Sequence, residues 1–188
     1  MPKSSVIIHP ASILQGVAYP VPIEDIGSAK IKTIIKRMSE ALRNSADGIG
    51  IAAPQIGEPL QIFLASEEAL KYDKAKEMEE DDRNQHHWEY YVFINPVITN
   101  YSRKKLREME GCLSVPGKFG VVERSEKVTI EAYDEHGQKI TRGASKLYAR
   151  LMQHEVDHLS GHLFIEKAKD LVDIRKKKQL RMERLGGL

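Results

Sequence analysis

The chain of 188 residues has one cysteine, one tryptophan and few aromatic residues of any kind. A single thiol excludes an intramolecular disulfide framework and suits a reducing compartment, so cytoplasmic residence is expected. A removed organellar leader would leave the same chain. No apolar run approaches the ~20 residues that cross a bilayer. The start, Met-Pro-Lys-Ser-Ser, leads into only a short apolar stretch before His9-Pro10, unlike a secretory leader. No membrane partner is expected. An excess of charge of one sign is also lacking. Lys and Arg total 29 against 27 Asp and Glu, a net charge of +2, which argues against DNA as a partner of the whole protein. Internal repeats are absent, which excludes a solenoid. With 41% hydrophobic residues the chain can bury a sizeable core, and residues 1–188 are read as one domain.

Pro10, Pro20 and Pro22 favour extended segments and turns, so residues 1–27 read as an arm packed over the body. From Ser28 to Arg43 the apolar residues Ile31, Ile34, Ile35, Met38 and Leu42 recur at helical spacing, with Asp25 or Ser28 as candidate cap. The stretch from Asp47 to Gly57 holds Gly48-Ile49-Gly50 and ends in Pro54-Gln55-Ile56-Gly57. It lacks the Gly-Lys-Ser/Thr of a phosphate loop, and Pro54 opposes a helix. A glycine-rich turn and a site where backbone approaches a ligand both fit it.

Leu60 to Ala65 reads as a strand, and residues 66–89 as a solvated insertion with an acidic run at Glu77, Glu79, Glu80, Asp81 and Asp82. The adjacent His86 and His87 read as surface residues. Tyr90 to Ile94 is strand-like, and Asn95-Pro96 is expected to break it. Lys127 to Tyr133 alternates cleanly, and Asp134-Glu135-His136-Gly137 reads as a hairpin turn into Gln138-Lys139-Ile140-Thr141. Residues 167–188 read as a basic tail or C-terminal helix, with Arg175-Lys176-Lys177-Lys178 at its centre. Such a run is usually a solvated helix face; a contact with RNA or an acidic surface is the alternative.

Chemistry concentrates in three places. Ser145 to Leu159, closed by Gly161, reads as a helix carrying His154-Glu155-Val156-Asp157-His158. Residues i and i+4 lie one turn apart on one face, so two imidazoles can bind one metal ion with the Glu beside its water. Leu147 and Leu151 continue the same stripe, which places both histidines on a core-facing side. Cys112 in Glu110-Gly111-Cys112-Leu113-Ser114 supplies a third ligand. Three protein ligands leave one position for water, the pattern of a catalytic site. A metal lowers the pKa of such a water from about 15.7 to about 7, and Glu155 can then take its proton and pass it to a leaving amine. The resulting oxyanion needs fixed donors, for which Gln55 and the backbone N–H of Leu113 are the candidates. Bare backbone around Ile49 and at Gly111 can pair with an extended peptide. The residues point to metal-assisted hydrolysis of an amide in a peptide-like substrate.

Gly48 to Gln55, Glu110 to Ser114 and Gln153 to Gly161 together resemble the three motifs of the peptide deformylases, in family order, with the likeness running from about Ser28 to Glu166. The resemblance implies removal of the formyl group from the N-terminal formylmethionine of nascent polypeptides, with release of formate. It implies Cys112, His154 and His158 as metal ligands, Glu155 as acid/base, and Gln55 with Leu113 as oxyanion donors. It further implies that the backbone of Ile49, Gly50 and Gly111 holds the peptide, with the side chains of Ile49, Leu147, Arg150 and Leu151 near the methionine pocket. The implied ion is iron(II), Fe2+, where ligand identity alone suggests zinc; Zn2+, Ni2+ or Co2+ can replace it. The implied fold is α+β, a central metal-binding helix surrounded by antiparallel β-sheets, with a C-terminal helix. The basic tail resembles the helix by which some members dock on the ribosome. Ile51 stands where Leu is usual, the Asp-Pro-x-Leu-Arg pattern is missing from the arm, and the acidic insertion is longer than in many members. A metalloprotease would share His-Glu-x-x-His without needing Cys112 or Gln55, and a binding module would not need Glu155.

Overall fold

A computed structural model of the chain describes residues 6–45, 48–67, 69 and 89–174. The acidic run and the His86-His87 pair fall outside these residues, as does the basic run from Arg175.

Helix α1 (Ala29–Arg43) forms where the apolar spacing predicts, and Ile31, Ile34, Ile35, Met38 and Leu42 are all buried. Ser28 caps it, its hydroxyl accepting the Ile31 N–H at 3.3 Å, an interaction whose loss typically costs ~1 kcal/mol. Asp25, the other candidate, ends a 3-10 turn over Ile23–Asp25.

The strands β1 (Gly50–Ala52), β2 (Ile62–Ser66), β3 (Tyr90–Tyr101), β4 (Lys105–Gly111), β5 (Lys118–Ser125), β6 (Lys127–Tyr133), β7 (Lys139–Ser145) and β8 (Lys169–Asp173) make two sheets. One is five-stranded in the order β1-β2-β3-β6-β7, the other three-stranded in the order β4-β5-β8. Every pairing between these strands is antiparallel. The second sheet's strands β4 and β5 were not legible as strands, because charged residues occupy much of both.

Strand β2 explains how the layers stack. Successive side chains point to opposite faces. Ile62 and Leu64 pack with Ile31, Ile34, Met38 and Leu42 of α1. Phe63 and Ala65 pack with Leu151 and Met152 on the other side. Phe63 stacks on Phe93 with ring centroids 4.6 Å apart, and fully burying such a side chain contributes ~1.5–3 kcal/mol.

That second layer is the central helix α2 (Lys146–Leu159). It starts after Ser145 and turns out of helix at Gly161, whose φ of 78° suits glycine. Its buried residues include Arg150, Gln153, Glu155 and His158 beside Tyr148, Ala149, Leu151, Met152 and Leu159. A helix buried on most of its surface must satisfy its polar side chains internally. Gln153 does so by accepting the Ser125 N–H at 3.0 Å and donating to the carbonyls of Ser125 and Ala149, both at 2.9 Å. The short helix α3 (Phe164–Lys167) and β8 follow. The α+β class, with a central helix among antiparallel sheets, is therefore as the sequence suggests. The segment read as the beginning of a basic tail pairs with β5 as a strand.

One expectation is corrected. Asn95-Pro96 does not end the strand that begins at Tyr90; β3 continues to Tyr101. The pairing register shifts between Ile94 and Val97, and Asn95 adopts φ 51°, a conformation asparagine tolerates. Its side-chain amide holds both the N–H and the carbonyl of Val21, at 2.8 and 2.7 Å. A bulge that anchors the arm replaces the break.

The arm reaches the site region. Ile7 donates its N–H to the Gln55 carbonyl and His9 donates to the Ser114 carbonyl, both at 2.8 Å. Leu14 is fully buried beside Val115, Val122 and Phe164.

Candidate metal centre and active site

The two histidines come from one turn of α2, and Cys112 arrives at the end of β4. The ligand atoms of Cys112, His154 and His158 all lie within 4.8 Å of one another. The Cys112 Sγ is 3.2 Å from His158 Nε2. His154 donates from Nδ1 to Glu110 Oε2 at 3.0 Å, which leaves its Nε2 for the cluster.

The charge pattern suits a cation. Burial alone opposes charge on His154, yet its interactions with Cys112 and Glu110 outweigh this and raise it to about 10. His158 moves the other way, held well below its ordinary value by burial and by His154, so its imidazole is neutral. A thiol and two imidazoles converging at this separation fit a divalent transition metal.

Glu155 sits beside the cluster, 2% exposed. Burial pushes its carboxyl up to about 7, although His154 pulls it down, and Oε2 has no partner among the described residues. Gln55 lies on a 3-10 turn (Ala53–Ile56). Pro54 is compatible with that turn because the first N–H groups of a helix need no internal acceptor. The Gln55 side chain is fixed at both ends. Its Oε1 accepts the Ala52 N–H at 2.8 Å, while Nε2 donates to Ser114 Oγ at 3.1 Å and lies 3.6 Å from Cys112 Sγ.

A cleft of about 380 Å³ opens over these groups. Its walls include Ile49, Gly50, Gln55, Gly111, Cys112, Leu113, Leu147, Arg150, Leu151 and His154, so the three separate stretches meet in one place. Glu155 and His158 are buried behind that surface. Met109, Pro116 and Phe119 also line the cleft and were not singled out from the sequence. Phe119 pairs opposite Gly111, and a Cβ added at Gly111 would stand 2.7 Å from its ring. No local pattern marks that contact, which depends on the β4–β5 register.

Two charged residues behind the cluster were also missed. Arg124 donates from Nε and Nη2 to the two oxygens of Glu110, both at 2.9 Å, and from Nη1 to Asp157 Oδ2 at 2.5 Å. Asp157 accepts in addition from Lys167 at 2.6 Å. Glu110 had a signal in its spacing, since a residue two before Cys112 shares its side of an extended strand. Arg124 had none.

The polypeptide deformylase sequence profile matches residues 3–173. The chain belongs to the polypeptide deformylase family. Its members are metal-dependent hydrolases. The chain is similar to peptide deformylase 1A, chloroplastic/mitochondrial, of Arabidopsis thaliana, at 40% identity over 157 residues covering 82% of this chain and 57% of that protein. It is 37% identical over 155 residues to peptide deformylase 2 of Pseudomonas syringae pv. tomato, covering 82% and 80%. The chain thus spans little more than half the length of the plant relatives it matches, 57% and 56%. Among solved structures, the Met-Ala-Ser-bound class I type b peptide deformylase of Acinetobacter baumannii matches with a TM-score of 0.71 at 30% identity, over 86% of this chain and 96% of that one. The peptide deformylase of Synechococcus elongatus in complex with actinonin gives 0.71 at 32% identity, over 90% and 81%.

Proposed function

We propose that this chain hydrolyses the formyl amide of N-terminal formylmethionine on nascent polypeptides, releasing formate and a free amino terminus. The observation that carries the proposal is the convergence of Cys112, His154 and His158 within 4.8 Å at the base of a cleft, with Glu155 buried beside them. The Acinetobacter relative was solved with Met-Ala-Ser bound, a peptide of the kind this reaction would leave.

Cys112, His154 and His158 would hold one divalent ion, which we take to be iron(II), with zinc, nickel or cobalt able to replace it. When bound, such an ion supplies Lewis acidity and makes water a nucleophile at neutral pH. Glu155 takes a proton from the attacking water and returns it to the nitrogen as the C–N bond breaks, a task suited to a carboxyl near 7. Gln55 and the backbone N–H of Leu113 donate to the oxygen that gains negative charge. The Ala52 N–H bonded to its Oε1 holds the Gln55 amide with Nε2 toward Cys112, which supports its role. Backbone at Ile49, Gly50 and Gly111 pairs with the peptide. Leu147, Leu151, Ile49 and the aliphatic stem of Arg150 line the methionine pocket.

The same proposal takes residues 1–188 as one catalytic domain with a 1–27 arm, a 66–89 insertion and a 167–188 tail, resident in the cytoplasm. No helix of the described residues is long and apolar enough to cross a membrane. Ribosome docking through the basic run Arg175-Lys176-Lys177-Lys178 is its outermost part. Deletion of residues 175–188 should weaken ribosome binding and its salt dependence; unchanged binding removes this part. The central test is formate release from a formyl-Met peptide by freshly purified protein under anaerobic conditions, with metal analysis. Cleavage of internal peptide bonds without formate would mark a protease instead.

A further inference from the structure

Arg150 lines the cleft, yet its guanidinium is committed elsewhere. The residue is only 5% exposed. Nη1 donates to Glu110 Oε1 at 2.6 Å and to the Val122 carbonyl at 3.0 Å, Nη2 to the Leu106 carbonyl at 2.9 Å, and Nε to Glu108 Oε2 at 3.1 Å. All three nitrogens are therefore occupied, and every acceptor belongs to β4 or β5. The guanidinium thus spends four of its five N–H groups on these two strands.

The positions of these contacts along the chain give them meaning. Arg150 precedes His154 by one helical turn. Glu110 precedes Cys112 by two residues on β4 and also holds His154. One guanidinium thus ties the strand that delivers the thiolate to the helix that delivers both imidazoles. We propose that Arg150 is a positioning residue of the metal centre, acting through Glu110 to fix the separation between Cys112 and the two histidines. A planar fork with several donors suits this task, and a lysine cannot reproduce it. Outer partners of metal ligands typically change metal affinity 10–100-fold when removed.

The proposal rests on the metal-binding reading, so its test measures metal directly. Metal-free wild type, Arg150→Met, Arg150→Lys and Arg142→Met are titrated with cobalt(II) against a chromophoric chelator, and the thiolate-to-cobalt absorption band is recorded. Arg150→Met should bind cobalt about 10-fold or more weakly, with an altered band. Arg150→Lys should recover part of the affinity. Arg142 stacks 3.9 Å from the Tyr91 ring centre and makes no bond to the cluster, so Arg142→Met should match wild type in both readouts. Equal affinity and spectrum in wild type and Arg150→Met overturn the proposal. A changed preference between formyl-methionyl and formyl-alanyl peptides in that case makes Arg150 a pocket wall only. If Arg150→Met does not fold, wild-type affinity in both Arg150→Lys and Glu108→Gln overturns it equally. A wild-type chain that takes up no cobalt overturns the metal reading itself.

Discussion

Gly50 leaves open the space that the Glu155 carboxyl occupies behind the cleft wall: a Cβ added at Gly50 would stand 2.6 Å from Glu155 Oε1 and 2.5 Å from Leu151 Cδ1. Both are closer than real Cβ contacts allow, so the ends of the Glu155 and Leu151 side chains must shift. Gly50→Ala should displace Glu155 while leaving the ligand set intact. The expected outcome is a fall in kcat of ~10²-fold or more, the lower range for a misplaced general base, at unchanged metal content. Wild-type turnover in this variant would show that the carboxylate does not depend on the bare backbone.

Glu155→Gln tests the proton transfer with almost no change of shape. Rate should drop by ~10²–10⁴-fold, and metal stoichiometry should match wild type. A variant that still deformylates at a substantial rate removes Glu155 from the acid/base role. Loss of metal along with the activity would instead make it a ligand.

Metal and stability are linked through Cys112. An ion that binds only the folded chain stabilises it by about 2.7 kcal/mol at a free concentration 100 times Kd. Chelation should therefore lower the Tm of the loaded wild type. Cys112→Ala should melt at the same temperature with and without chelator, because its cluster has lost the thiolate. A chelator response of wild-type size in Cys112→Ala would exclude the thiol from the ligand set.

Acid sensitivity should trace to Glu110. Burial alone would raise its carboxyl, but His154 and Arg124 outweigh burial and hold it well below the usual carboxylate range. A depressed folded value stabilises the fold above the unfolded carboxyl's pKa, and that contribution disappears as pH falls through the folded value. In wild type the urea midpoint should drop steeply below roughly pH 4.3, the ordinary glutamate value. Glu110→Gln should start less stable at neutral pH and show a shallower acid decline. Parallel profiles for the two proteins would contradict this assignment.

The local elements were legible in proportion to how locally they are determined. Helix α1 follows from its apolar spacing and Ser28, and β6 from an alternation that the structure reproduces over Lys127–Tyr133. The turn at Asp134 is held by its own side chain, which accepts the N–H groups of His136 and Gln138 at 2.9 and 2.8 Å. Asn95 misled because its breaking tendency is local, whereas its two hydrogen bonds to Val21 are long-range. Strands β4 and β5 stayed hidden because pairing and burial of Glu110 and Arg124 against each other, rather than an apolar alternation, define them.

By itself the sequence determined the donor types and the helical spacing of His154, Glu155 and His158, because the helix period is fixed by backbone geometry. It also marked Gln55 and Cys112 as chemistry in search of a centre. Only the tertiary structure decided how these meet. Strand pairing carries Cys112 to the helix, Gly50 makes space for Glu155, and Phe119 closes on Gly111. The direction of Arg150 was likewise undetermined along the chain, since a buried guanidinium turns toward whatever acceptors surround it, and here those come from β4 and β5.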